Sequence, residues 1–280
     1  MPEILFGRFA TLYVGVPGRN GRDLSGLRFS FEVTKTLEGT ANAAKILVWN
    51  LSQETRTFIE KEAAGTKKFV VLLSCGYSGL DDVPTARGIF RGDILRVEHQ
   101  KQSGDIITTI ETADEIKAIA NSTVNLSYKE GTSLSTILRA AASSLGVSVG
   151  EIQGLDGKQF LRGYSASGKA SSQLDLIAEQ ANADWSIQDG VLQLIQRDKS
   201  LPGTVISLNS NTGLLGSPNK RQDDKGNTEI QFTTLLQPKL VPGARVQLDS
   251  RFVRGVYKIQ KLTHKGDTRQ GGWFSEVEAR

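Results

Sequence analysis

The sequence predicts a mainly β protein with α+β inserts. Three observations carry this: apolar and polar residues alternate with period two near both ends of the chain, helical stripes cluster in the middle, and turn dipeptides separate the runs. Residues 1–112 form the first β region. Leu27–Thr34 alternates without a fault, and Lys45–Asn50 is a second strand. Between them, Gly39, Thr40 and Asn42 suit a hairpin connection. Ser52-Gln53-Glu54-Thr55 offers an N-cap for a short helix that ends near Gly65, and Phe69–Ser74 reads as a buried strand. Ile89–His99 and Asp105–Glu111 are expected to pair around Ser103-Gly104.

Residues 113–200 change character. Leu134, Ile137, Leu138, Ala141, Ala142 and Leu145 make one helical stripe, capped by Thr132 or Ser133 and stopped by Gly146. A second helix carries Leu174, Ile177, Ala178 and Ala181. Asp189-Gly190 between two alternating runs is a strong hairpin signal. Residues 201–280 return to β, with strand patterns over Glu229–Leu236, Arg245–Asp249, Gly255–His264 and Gly272–Glu278.

The 280 residues carry a net charge of +4, and the single cysteine, Cys75, excludes an internal disulfide. Charges of both signs are interspersed, as in Lys220-Arg221-Gln222-Asp223-Asp224-Lys225, which argues against a dedicated nucleic-acid surface. The N-terminal run, broken by Glu3, does not read as a signal peptide, and no apolar run has the length of a membrane helix. Folding in a reducing cytoplasm is the expectation.

The stretch Gly163–Lys169 matches most of the phosphate-binding pattern G-x-x-x-x-G-K-[ST]. The residue that would ligate magnesium is Ala170, and the flanking chain lacks alternating strands and helices. The residues read instead as a flexible turn at Gly163 and Gly168. A helix follows, capped by Ser171 or Ser172, with Asp175 at capping-box distance from Ser172. Cys75 ends an apolar strand, and the two histidines, His99 and His264, lie in different β regions, so nucleophilic and zinc chemistry lack their constellations. The acidic residues single out no catalytic pair. Trp49, Trp185 and Trp273 lie in strand contexts and fit core or interface roles. No catalytic, cofactor-binding or metal-binding residue is expected, which favours a structural or binding component.

Several stretches carry a family resemblance: Thr212–Pro218, Leu235–Gly243, Val256–Ile259, and Thr263–Thr268 ahead of Trp273 near the C-terminus, with Phe6–Arg8, Glu32–Thr40, Asn50–Ser52 and Phe90–Ile94 near the N-terminus. In order and spacing the chain resembles the baseplate hub proteins of contractile-tailed, Mu-like bacteriophages, the late control protein D group. The resemblance implies two tail-tube-like β-barrel domains, 1–112 and 201–280, with a small α+β domain or domains over 113–200. It implies a homotrimeric ring whose six barrels adapt a sixfold tail tube to a threefold spike around an axial channel. The implied partners are the spike protein, the tube or distal tail protein and the tape-measure protein, with DNA passing through unbound and no membrane contact. The implied location is the virion tail baseplate, after assembly in the host cytoplasm. A neutral or acidic channel wall is expected, since DNA must not stick there. Two other readings are a cell-wall-degrading tail-associated enzyme and a sixfold tail-tube or adaptor protein. One loop is singled out. Phe252 and Val253, flanked by arginines, either tuck into the fold or form an exposed anchor for a partner.

Overall fold

The computed structural model describes residues 7–16, 21–65, 69–78, 86–114, 116–203, 205–222, 226 and 228–280; Phe6, Asp223, Asp224 and Lys225 from the sequence reading lie outside these. The chain forms two compact units, one made of residues 1–35, 43–113 and 203–280, the other of 36–42 and 114–202. The segments expected as a first and a third domain thus contribute to one unit.

The first part of that unit runs β1 (Arg8–Gly15), β2 (Arg22–Asp23), β3 (Phe29–Thr36), β4 (Ala43–Trp49), α1 (Gln53–Ala63), β5 (Val70–Tyr77), β6 (Arg87–Gln102) and β7 (Asp105–Ala113). Alternation decides the faces: Phe29, Phe31, Val33, Ala44, Ile46 and Val48 point into one core while the residues between them do not. Ser52 caps α1 as expected, its Oγ accepting from the Thr55 amide at 3.2 Å. β6 and β7 turn through Ser103 and Gly104, both at positive φ, which suits a two-residue hairpin.

The second unit holds α2 (Ile116–Asn121), β8 (Thr123–Tyr128), α3 (Leu134–Leu145), β9 (Ser148–Ile152), β10 (Tyr164–Lys169), α4 (Ala170–Ala181), β11 (Ala183–Gln188) and β12 (Val191–Gln196). β8 pairs with β10, and β11, β12 and β9 form a three-stranded sheet. The buried stripes of α3 and α4 share one core with Trp185, Ile187, Leu192 and Leu194. The tip between β3 and β4 also belongs here. Asn42 Nδ2 donates to the Ile187 carbonyl at 2.8 Å, and Gln188 Nε2 donates to the Thr36 carbonyl at 2.8 Å. Gly39 lies against the Trp185 indole, where a Cβ would stand 2.6 Å from ring carbons, so a side chain there is excluded.

The chain then returns to the first unit with β13 (Ile206–Leu208), β14 (Leu214–Gln222), β15 (Thr228–Leu235), β16 (Arg245–Asp249), β17 (Arg254–Asp267) and β18 (Trp273–Ala279). These surround a separate core containing Leu208, Ile230, Phe232, Val246, Leu248, Ile259 and Val277. The strands of both parts share one 13-stranded sheet, ordered β14-β15-β18-β17-β3-β4-β7-β6-β5-β1-β2, with β13 and β16 branching from β17.

Two local expectations need correction. Gly163–Gly168 is not a loop: Tyr164–Lys169 is a strand that pairs along its whole length with β8. The helix behind it starts at Ala170 with Lys169 as N-cap and no side-chain cap, so Ser171 and Ser172 lie inside the first turn. The Ala170 amide bonds instead to the Ser122 carbonyl, and Asp175 accepts from Trp185 Nε1 at 2.7 Å. The Ala170–Ser122 bond ties the first helical amide to the chain just before β8 in place of a side-chain cap.

Candidate assembly interface

The first unit repeats one wiring diagram. In its first half the strand order is β3-β4-β7-β6-β5-β1; in its second half it is β14-β15-β18-β17-β16-β13. In both halves one long strand changes partner along its length. β6 pairs with β5 up to Asp93 and with β7 beyond it. β17 pairs with β16 up to Lys258 and with β18 beyond it. Each long strand has a register shift at the changeover, after Ile94 in β6 and after Ile259 in β17. A bulge there bends the strand as it passes from one partner to the other. The one reversal is at the far end, where β1 meets β5 antiparallel while β13 meets β16 in parallel.

The halves join edge to edge where β3 lies beside β17. Thr34 and Thr263 hydroxyls meet at 3.2 Å, Glu32 Oε1 lies 3.7 Å from Lys265 Nζ, and the Thr268 amide donates to the Phe29 carbonyl at 3.0 Å. These contacts run in opposite directions along the two strands, so the seam is antiparallel. On its core side Phe31 packs edge-on against Trp273, ring centroids 5.5 Å apart. Both rings lie over Gly266, where a Cβ would come within 2.7 Å of each. At the end of the seam Arg28 binds Asp267 at 3.0 Å and stacks 4.2 Å from the Trp49 ring. Burial pushes the Asp267 carboxyl up, but Arg28 and the amides of Gln270 and Arg269 together hold it below its ordinary range. Behind the seam His264 is fully buried, its Nδ1 2.7 Å from Ser275 Oγ. Burial, and then the Lys35 charge, depress its pKa to about 3, so the ring is neutral.

The face opposite the two cores carries a row of charges that alternates strand by strand. Arg96 on β6 stands opposite Glu111 on β7, Glu111 opposite Lys45 on β4, and Lys45 opposite Glu32 on β3. Lys265 on β17 follows, bound to both Glu32 and Glu276 of β18, the latter at 2.9 Å. The hydrogen bond to Glu276 is the main reason that the Lys265 pKa is raised. Six adjacent strands therefore present alternating signs that sum to zero.

Among the described residues, strands at the margins of this sheet leave edges open: β2 is paired only with β1, and β13 only with β16. β14 is paired only on its β15 side, and β6 beyond Ile94 is paired only with β7. At the matching place in the second half, the far side of β17 is filled by β3.

The singled-out loop divides its two candidates. Phe252 is 68% exposed beneath the Arg251 guanidinium, and Val256 nearby is exposed as well. Val253 is buried in the second core, its amide bonded to Ser250 Oγ at 3.0 Å. Cys75 is buried and its thiol is pushed up by burial; Cys75, His99 and His264 form no cluster. Among the described residues no cluster of three His, Cys, Asp or Glu could hold a metal, and no helix is long and apolar enough to cross a membrane.

The comparisons fit this architecture. A 43 kDa tail protein of prophage MuSo2 from Shewanella oneidensis superposes with a TM-score of 0.69 at 10% identity, covering 97% of this chain and 98% of that one. A tail protein from Neisseria meningitidis MC58 gives 0.67 at 11% identity, covering 97% and 96%. A component of the E. coli type VI secretion system, described as similar to the T4 phage tail proteins gp27 and gp5, gives 0.58 at 10% identity over 95% and 76%. These likenesses establish the fold. No curated protein matches the sequence. The family of baseplate hub gp41 matches residues 13–279. With the family matched over nearly its whole length, the chain belongs to the baseplate hub gp41 proteins, structural parts of the phage tail rather than enzymes.

Proposed function

We propose that three copies of this chain form the hub ring of the baseplate, each contributing two tube-like barrels. One barrel is built on residues 1–112 and the other on 201–280, with the α+β residues 113–200 forming a small domain of their own. Six similar seats then surround an axial channel, so that a sixfold tail tube can rest on a ring that also matches a threefold spike. The observation that carries this reading is the repeated strand order of the two halves, joined edge to edge at β3 and β17. A chain with a single barrel could not offer two near-equivalent seats.

The alternating charge row supports a place for DNA in the same scheme. Rows of opposite charges facing the channel cancel at short range and give phosphates nothing to bind. The partners in this reading are the spike protein, the tube or distal tail protein and the tape-measure protein. The ring is assembled in the host cytoplasm before it enters the virion tail. Phe252 and Val256, exposed at a loop and strand start, form a contact for one of these partners, while Val253 serves the fold.

Native mass spectrometry of the purified chain, alone and with the spike protein of the same phage, tests the reading. A complex holding three copies of the chain is expected in at least one condition. Single copies in both, or rings of six, would overturn it.

A further inference from the structure

We infer that the open edge of β14 in one copy pairs antiparallel with the open part of β6 in the next copy, with Arg221 opposite Glu98. This rests on the ring reading and specifies the surface that closes the ring. Counting from the bulge in each long strand, the row Arg96–Glu111–Lys45–Glu32 of the first half corresponds to Lys261–Glu278–Gln231–Asn219 of the second. β3 therefore corresponds to β14, and β17 to β6. Within the chain β3 already pairs with β17. The same joint, advanced by one barrel, sets β14 against β6 of a second copy. Both edges are open there to receive it.

The register follows from the same count. Thr34 faces Thr263 inside the chain, and their counterparts are Arg221 and Glu98. Glu32 faces Lys265, and their counterparts are Asn219 and Gln100. The neutral threonine pair of the inner seam is thus replaced by a pair of opposite charge, and the charged pair by two amides. Both residues are available: Arg221 is exposed and now holds Glu229, and Glu98 is exposed and now holds Arg96. Across the two-residue turn, Gln102 pairs with Asp105. Alternate residues of β6 therefore bond β7, which leaves the peptide groups of Val97, His99 and Lys101 facing the open side. In the inferred register they meet Gln222, Lys220 and Pro218. Pro218, with no N–H, weakens the ladder at one end and discourages indiscriminate pairing of the edge. A second β14 is a poor substitute partner, because Lys220 and Arg221 would face the same two cations.

Cross-linking tests the register. Asn219→Cys with Gln100→Cys places two thiols at a closely spaced cross-strand pair, and Cys75 is buried away from oxidants. Under oxidation in the ring-forming condition, a covalent species of three copies is expected. Arg221→Cys with Gln100→Cys, two residues out of register, is expected to stay unlinked. A ring of three copies in which the first pair stays unlinked overturns this edge assignment while the ring reading stands. A link formed inside single copies also overturns it. Absence of any three-copy species for the unaltered chain overturns both. As a second readout, Glu98→Arg and Arg221→Glu singly are expected to raise the concentration needed for the ring by roughly tenfold or more. The double swap restores it. Equal loss in single and double variants, with melting temperatures unchanged, removes the proposed pair.

Discussion

The two halves of the first unit share a strand order but not a strategy for stability. The first half builds its core from large aromatics, Phe29, Phe31, Phe69 and Phe90, and covers it with α1, whose Ile59 is fully buried. Among the described residues the second half has no helix, and a loop of residues 236–244 takes the place of α1 between β15 and β16. Its core is mostly aliphatic, with Phe232 as its one buried ring. At the position before the bulge the first half buries Asp93 and the second half Lys258. Repeated topology thus tolerates opposite chemistry wherever the pattern of buried and exposed residues is kept. What the repeat conserves is the bulge in the long strand and the pair of edges on either side.

The sharpest way to break the comparison is at the core of the inner seam. Phe31→Ala removes a buried ring packed on Trp273 and leaves a void over Gly266, costing about 3–5 kcal/mol. Its counterpart in the second half is Pro218, on the open edge of β14. Pro218→Ala removes two ring carbons from a buried edge position and is expected to cost the single chain only about 1–2 kcal/mol. Urea denaturation of both variants measures this; equal losses would show that β14 is packed as β3 is.

Acid separates the halves next. His264 lies in the second half, buried and neutral, with a pKa near 3. The unfolded chain takes up that proton near the ordinary histidine value, while the folded chain refuses it. The contribution is therefore complete above about pH 6.5 and is lost as pH falls toward 3. Between pH 7 and 4.5 this amounts to about 2 kcal/mol. Thermal melts at both pH values should show a smaller drop for His264→Gln than for the unaltered chain. An identical drop in both would remove His264 as the source.

How much of this was legible in the sequence depends on where each residue's partners lie. β3, β4, α3 and the Asp189-Gly190 hairpin were readable because each writes its own period or turn chemistry locally. β14 was not. It buries only Leu214 and Pro218 on its way along the edge and carries Gly216, so no alternation marks it. An edge awaiting another chain does not advertise a buried face. The β3–β17 seam joins residues such as Thr34 and Thr263, 229 positions apart, and nothing in either segment names the other. The loop at 252–253 was half legible: its two apolar residues point opposite ways, and only coordinates distinguish them.

That loop gives the third test. Val253→Ala opens space in the second core and is expected to cost about 1–2 kcal/mol. Phe252→Ser leaves the melting temperature of the single chain within about a degree, because the ring is largely exposed. If Phe252→Ser also leaves spike and tube binding unchanged in a pull-down, its role as a contact is lost. A matching change at Leu72, an exposed residue on β5 of the first half, asks whether the two halves use equivalent surfaces.

The smallest effect concerns charge on the two seams. Lys265→Met removes ion pairs to Glu276 and Glu32 that are partly exposed, so its cost to the single chain is only ~0.2–1 kcal/mol. Arg221→Met should cost the single chain no more, since its pair with Glu229 is also open to solvent on the arginine side. The difference emerges on assembly. The inner seam is tethered by the chain and loses its small increment once. The outer seam occurs three times in a closed ring, so the same increment is lost three times, or ~0.6–3 kcal/mol per ring. Because the midpoint of a three-copy assembly moves with the square root of its equilibrium constant, ring formation should then require about two- to tenfold higher concentration for Arg221→Met, with little change for Lys265→Met, when followed by native mass spectrometry over a dilution series. Mixing Glu98→Arg with Arg221→Glu subunits sharpens the point: each matches the other, but an odd-numbered ring cannot alternate, so one seam of three stays mismatched and recovery is partial. Full recovery on mixing would mean an even number of copies.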